Sequence, residues 1–201
     1  MAITTPTNID RAGAGDVTRI AATLARAFFD DPVFRWASPD DDRRRELLPA
    51  FFALVAETLQ RYDEIHVAGL GAGAALWVPP GGAPVPDDLA EEYGRKMLAM
   101  SGADAERLFE VSEVIDSHHP AGSFYFLQFI GVEPSSQGRG IGSALLRDGL
   151  DRCDRDGSAA YLEATSPNNK RLYERHGFHT QTTLQVPGGP PMWAMWREPS
   201  P

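Results

Sequence analysis

After Asp16, apolar residues recur at helical spacing, at Val17, Ile20, Leu24 and Phe28, and predict an amphipathic helix. It should stop at Asp30-Asp31-Pro32, because the residue before a proline disfavours the helical region. Ser38-Pro39 reads as an N-cap with proline at the first helical position, opening a second helix to about Tyr62 with a kink at Pro49. Two strand-like runs, Glu64–Ala68 and Ala74–Val78, flank a glycine-rich turn and predict a hairpin. Pro79–Asp87 is a loop. Helices follow over about Asp88–Met100 and Ala103–Asp116, the second with Ala105, Leu108, Val111 and Ile115 on one face. Ser123–Val132 is aromatic and β-branched along most of its length, as in a strand buried on both faces. A loop, Glu133–Gln137, leads to a helix over Gly140–Arg155. Then come a strand over Ala159–Thr165, a short helix over Asn168–His176, and a closing strand pair, Phe178–Leu184 and Met192–Trp196. Strands and helices mix without strict alternation, so the expected fold class is α/β with a mixed, mostly antiparallel sheet flanked by helices.

Composition narrows the setting. A chain of 201 residues fits a single domain over residues 1–201. Its 28 acidic against 19 basic side chains argue against a nucleic-acid partner, which needs a basic face. The charge-free run Val67–Pro86 is long enough to cross a bilayer, yet five glycines and four prolines break it. Met1–Asp16 lacks the basic and apolar blocks of a signal peptide. Cys153 is the sole cysteine, so no intramolecular disulfide forms. A soluble, cytoplasmic protein without a membrane partner is expected. The five histidines show no ligand spacing with carboxylates or thiols, and no metal is expected.

The chemistry concentrates in Gln137-Gly138-Arg139-Gly140-Ile141-Gly142-Ser143, between a buried strand and an amphipathic helix. Glycines there let the backbone approach a ligand. Free N–H groups and the positive end of the helix dipole make an anion site suited to a pyrophosphate, with the Arg139 charge nearby. A P-loop is excluded because no lysine stands near Gly142, and the dinucleotide fingerprint fails because Ser143 holds its third glycine position. Gln137-x-x-Gly140-x-Gly142 fits the pattern Gln/Arg-x-x-Gly-x-Gly/Ala.

That loop follows Ile130-Gly131-Val132, and after it come Tyr161-Leu162-Glu163 and Asn169-x-x-Leu172-Tyr173-Glu174-Arg175-His176-Gly177-Phe178. Together these resemble the GNAT superfamily of acetyl-coenzyme A-dependent N-acetyltransferases. Ala27-Phe28-Phe29-Asp30-Asp31-Pro32, Trp36 and Ala75-Leu76-Trp77-Val78-Pro79-Pro80 resemble a small-molecule branch common in actinomycetes.

The resemblance implies a bulged central strand that splays from its neighbour, with an acetyl-CoA-binding core over about 123–180 and acceptor-side elements over about 16–120. The pantetheine arm would lie along Phe129, Ile130, Gly131 and Val132, and the pyrophosphate on N–H groups from Gly138 through Ser143. Asn169 would reach the pantetheine. Tyr173 would stand beside the thioester sulfur, protonating the leaving thiolate as a general acid. Relatives often carry a carboxylate on the central strand, but Phe124-Tyr125-Phe126-Leu127-Gln128-Phe129 has none. Glu163 is the first candidate for general base and His119 the second; a water chain or a neutral amine remains open. Ser166 stands where many relatives carry asparagine. The acceptor is sought at Phe29, Asp31, Phe34 and Trp36, with His119 nearby, although Trp36 and Trp77 also read as core aromatics.

The expected activity is direct acetyl transfer from acetyl-CoA to a primary amine of a small molecule, since Cys153 is misplaced for a covalent relay. The alternatives are a protein or peptide acceptor, or a coenzyme A-binding module without turnover. A homodimer is a further expectation of the resemblance.

Overall fold

The computed structural model describes residues 8–200, so Met1–Thr7 of the signal-peptide question lie outside the described residues. Seven strands form one sheet in the order β1-β2-β3-β4-β5-β7-β6. In chain order these are β1 (Ile9–Arg11), β2 (Ile65–Ala68), β3 (Gly73–Val78), β4 (Tyr125–Val132), β5 (Ala160–Ala164), β6 (His179–Gln185) and β7 (Pro191–Arg197). Every pairing is antiparallel except β4 with β5. The hairpin, the central strand and the closing pair thus match the periodicity. The three-residue β1 has no apolar alternation and was not predicted.

Helices α1 (Val17–Ala27), α2 (Pro32–Ala37), α3 (Asp41–Leu59), α4 (Ala90–Ser101) and α5 (Ala105–His118) group on one side, around a core that includes Leu24, Phe52 and Tyr161. Helix α6 (Ile141–Arg155) packs the other face, burying Leu145, Leu146, Leu150 and Cys153, and α7 (Pro167–Glu174) follows β5. Among the described residues no helix is long and apolar enough to cross a membrane.

The segment between α1 and α3 corrects the sequence reading. Asp31, as expected before a proline, is extended, but Pro32 then opens the separate short helix α2, capped by the Asp31 carboxylate. Ser38 is not the N-cap of the next helix. It ends α2, and its hydroxyl donates to Asp104 at 2.7 Å in a buried contact, so Asp40 caps α3 by accepting from Arg43 N–H at 2.9 Å. Helix α3 then runs unbroken through Pro49.

These polar contacts also anchor the α4–α5 segment. Arg43 pairs with Asp104 at 3.0 Å and donates to the Ser101 carbonyl at 3.1 Å, while Arg107 donates to the Trp36 carbonyl at 3.0 Å. On the opposite face, Arg152–Glu64 at 2.7 Å and His66–Asp148 at 2.6 Å tie α6 to the β2 region. Arg197–Asp154, also at 2.7 Å, ties it to β7.

Close approach of α6 to the sheet depends on Gly149. A Cβ there would stand 2.4 Å from the fully buried Trp77 indole. Gly149→Ala is therefore expected to lower unfolding stability by roughly 1–3 kcal/mol through overpacking; denaturant unfolding checks this, and an unchanged midpoint would refute the contact.

Candidate active site

Two irregularities of β4 create the site. The β3–β4 ladder pairs Leu76 with Phe129 but Trp77 with Leu127, leaving Gln128 as the extra residue of a bulge. The shift turns Phe129 to the α1–α3 face, where it packs against Phe28, Phe51 and Phe52. On its other edge β4 pairs with β5 only at Tyr125↔Ala160 and Phe126↔Tyr161. From Leu127 onward the two strands separate.

Register decides what faces the gap. Glu133 donates to the Ala72 carbonyl in line with the β3–β4 pairing. By the alternation of an antiparallel pair, Gly131 then points its main-chain groups at β3, while Val132 and Ile130 point theirs into the gap. The Gln137 side chain donates to the Val132 carbonyl at 3.1 Å, linking strand and loop. Gly131 itself can only be glycine, because a Cβ would meet Leu24 at 2.8 Å and Ala27 at 2.9 Å on α1.

The gap opens into a cleft of about 790 Å³ that reaches Gly138, Gly140, Gly142 and Ser143. Gly138 and Gly140 adopt φ of 74° and 81°, a left-handed conformation that favours glycine. Main-chain N–H groups of Ile141, Gly142 and Ser143 open the 15-residue α6 and have no carbonyl one turn back within the helix. Ser166 caps α7, its hydroxyl accepting from Asn169 N–H at 3.2 Å, so serine keeps the helix-opening function here. Asn169 and Tyr173 both line the cleft; Arg139 lies outside its lining. The lining also takes in Arg26, which pairs with Glu133 at 2.8 Å, and Arg175; neither is marked as a ligand by sequence pattern.

A second cavity of about 410 Å³ lies on the α1–α5 side and shares Phe28, Asp31, Ile130, Asn169 and Tyr173 with the cleft. Tyr173 therefore stands at the junction of two compartments. Its hydroxyl is held above the usual tyrosine pKa, first by burial and then by the charge of Asp31, so it stays protonated at neutral pH. The Asp31 carboxylate accepts from Val33 N–H at 2.9 Å and Phe34 N–H at 3.3 Å, and from the Thr165 hydroxyl. Burial raises its pKa.

Alternation along β5 turns Tyr161, Glu163 and Thr165 to this cavity's side and Leu162 and Ala164 toward α6. Burial pushes the Glu163 carboxyl up to about 7, against the opposing effect of the Tyr161 hydroxyl beside it, and among the described residues its Oε1 meets no partner of good hydrogen-bond geometry. The His119 Nδ1 lies 3.9 Å from that oxygen, and burial lowers the His119 pKa. Gln128, put here by the bulge, also has a buried Oε1 without a partner. Sequence reasoning passed over Gln128, since nothing local announces the bulge.

Of the residues sought for the acceptor, Asp31, Phe34 and His119 line this cavity. Phe29 and Trp36 do not: Phe29 lies under the Arg44 and Arg45 guanidiniums, and Trp36 under that of Arg107. Cys153 is buried within α6, where its thiol donates to the Gly149 carbonyl at 3.3 Å, and burial pushes its pKa up to about 12. It is no nucleophile.

Known proteins resemble the chain in sequence and in fold. The chain is 27% identical to an uncharacterised N-acetyltransferase of Schizosaccharomyces pombe over 88% of this chain and 76% of that protein. It is 28% identical to a mycothiol acetyltransferase of Gordonia bronchialis over 68% of this chain, spanning 52% of that protein. A Corynebacterium glutamicum structure named as histone acetyltransferase HPA2 and related acetyltransferase superposes with a TM-score of 0.74 at 28% identity, covering 98% of each chain. An Aedes aegypti arylalkylamine N-acetyltransferase shares the fold, with a TM-score of 0.68 at 15% identity over 98% of this chain and all of that one. Residues 89–178 match the acetyltransferase (GNAT) family. The chain carries a GNAT-family acetyltransferase domain.

Proposed function

We propose that this acetyltransferase moves the acetyl group of acetyl-CoA directly to a primary amine of a small molecule. The observation that carries the reading is the meeting, at Tyr173, of a cleft ending on free helix N–H groups with a second, mostly apolar cavity. The residues present suit acetyl-CoA. The start of α6 offers donors to a pyrophosphate, and the unpaired edge of β4 at Ile130 and Val132 offers main-chain groups to an extended amide-bearing arm. Bound there, acetyl-CoA supplies an activated thioester.

The chain's own groups then divide the work. Glu163, titrating near neutrality, takes a proton from the ammonium, freeing the nitrogen lone pair. The gap-facing N–H of Ile130 or Val132 meets the negative charge that develops on the carbonyl oxygen. Tyr173 gives its proton to the departing sulfur. The buried, high-pKa thiol of Cys153 supports a direct transfer without an acyl-cysteine stage, and as a lone thiol it suits a reducing cytosol. Tyr93 and Met97 from α4 and Leu108 and Val111 from α5 wall the acceptor cavity, which favours a small molecule over a peptide. The name of the Corynebacterium relative favours a protein acceptor as a second reading. Thiol release from acetyl-CoA with small amines and with lysine peptides separates the two.

Tyr173→Phe is expected to lower turnover by roughly 10²–10⁴-fold while leaving acetyl-CoA affinity unchanged; calorimetry beside steady-state rates checks both halves. Gly140→Val forces a branched residue to a φ of 81° and should abolish acetyl-CoA binding; an ordinary binding isotherm would refute the loop assignment.

Glu163 makes a pH prediction of both activity and stability. As base, it should give kcat/KM an ascending limb near pH 7 that Glu163→Gln removes. Its pKa is raised from 4.5, so the folded chain keeps a proton the unfolded chain loses, and stability falls as pH rises through 4.5 to 7. Glu163→Gln should therefore gain on the order of 3 kcal/mol over the native chain between pH 4 and pH 8. Parallel unfolding curves at the two pH values would expose a carboxylate that is not buried in solution.

A further inference from the structure

We propose that the acceptor cavity selects a primary amine bearing one positive charge on a compact apolar body, its nitrogen seated between Glu163 and the Gln128 carboxamide. This rests on the acetyl-transfer reading above and narrows it.

The charges are unevenly placed. Three carboxylates, Asp31, Asp116 and Glu163, belong to the cavity lining. Both oxygens of Asp31 already accept hydrogen bonds, from the start of α2 and from Thr165. Asp116 is exposed on α5, close enough to Glu163 to oppose its ionisation, and so stands toward the same end. Glu163 is the deep carboxylate, with its side chain only 7% exposed. The Tyr161 hydroxyl lies beside the Glu163 carboxyl, yet the Glu163 Oε1 and the Gln128 Oε1 are both buried without a partner of good hydrogen-bond geometry among the described residues. Such oxygens are costly to leave unpaired, and a primary ammonium brings three donors.

The remaining wall is apolar. Phe51, Phe129, Met97, Leu108, Val111 and Ile115 face the same space from α3, β4, α4 and α5. An aromatic or aliphatic body fits among them, and the unbranched Met97 adapts to its outline. A second ammonium carried to this apolar end, away from Glu163 and Asp116, would lie among these side chains with no anion to pair it, at a desolvation cost that one amine avoids. A cavity of about 410 Å³ is sized for one small ligand. Gln128 is thus assigned as a specificity residue, brought to the cavity by the bulge.

The test uses the full chain with saturating acetyl-CoA and measures thiol release with phenylethylamine, hexylamine, putrescine, spermidine and a lysine peptide. The apolar monoamines should exceed the polyamines and the peptide in kcat/KM by about tenfold or more, the scale of one unpaired buried charge. Gln128→Leu should raise KM for phenylethylamine by about tenfold with little change in kcat, as for one lost hydrogen bond to a charged group. Val111→Trp, which fills the apolar end, should cut monoamine kcat/KM while acetyl-CoA affinity stays constant and reports an intact fold. Preference for a polyamine or the peptide, or indifference of monoamine kinetics to both variants, overturns this inference and leaves acetyl transfer standing. Calorimetry of phenylethylamine against the coenzyme A complex covers a silent enzyme: binding without turnover supports the seat and refutes the transfer reading, whereas absence of binding overturns the seat.

Discussion

Parting of β4 from β5 after two paired residues is the constraint on which the rest depends. A strand in mid-sheet normally has partners on both edges, and unpaired N–H and C=O groups buried there are costly. Here the open edge of β4 stands where an extended, amide-bearing ligand arm can take the missing partner's place. The separation persists because both strands are held independently. Strand β4 is held by β3 and by α1 against Gly131, and β5 is held by β7 along its whole length.

The bulge at Gln128 is the second consequence of the same geometry. One extra residue reverses the facing of everything after it, so Phe129 joins the aromatic group of Phe28, Phe51 and Phe52 while Ile130 and Val132 turn their main-chain groups to the gap. Cavity and cleft then meet along shared lining residues, and Tyr173 is one of them. Low polarity explains the opposite protonation roles of the two titrating groups. Burial raises both pKa values, which leaves a phenol firmly protonated but brings a carboxyl close to neutrality.

Polar contacts help fasten α4 and α5 to α2 and α3 beside the smaller cavity, together with the buried Leu108 and Val111. Ser38, Arg43 and Asp104 form that fastening, and Arg107 adds a contact to the Trp36 carbonyl. The charged residues at the start of α3, Asp40 to Arg45, in part serve packing. Arg44 is almost fully buried and donates to the Phe29 and Ser38 carbonyls. Losing such a partner leaves a buried charge unpaired, so the enclosure is a cooperative property of several elements.

The sequence by itself determined the elements that obey local rules. Amphipathic spacing marked α1, α5 and α6, strand-like runs around a glycine-rich turn marked the hairpin, aromatic and β-branched density marked β4, and the glycine run marked the entry to a helix N-terminus. The free N–H groups at the start of α6 were legible because neighbouring residues along the chain carry them, whereas Tyr173 was marked only by the family resemblance of the Asn169–Phe178 stretch. What tertiary structure alone decided has a common physical cause, contact between residues far apart in sequence. Ser38 loses its capping function to a bond with Asp104, the bulge expected on the central strand is placed at Gln128 by register against β3, and Glu163 titrates near neutrality because distant elements bury it. Phe29 and Trp36 leave the pocket for the same reason, drawn under arginine guanidiniums by helices that no local pattern could orient.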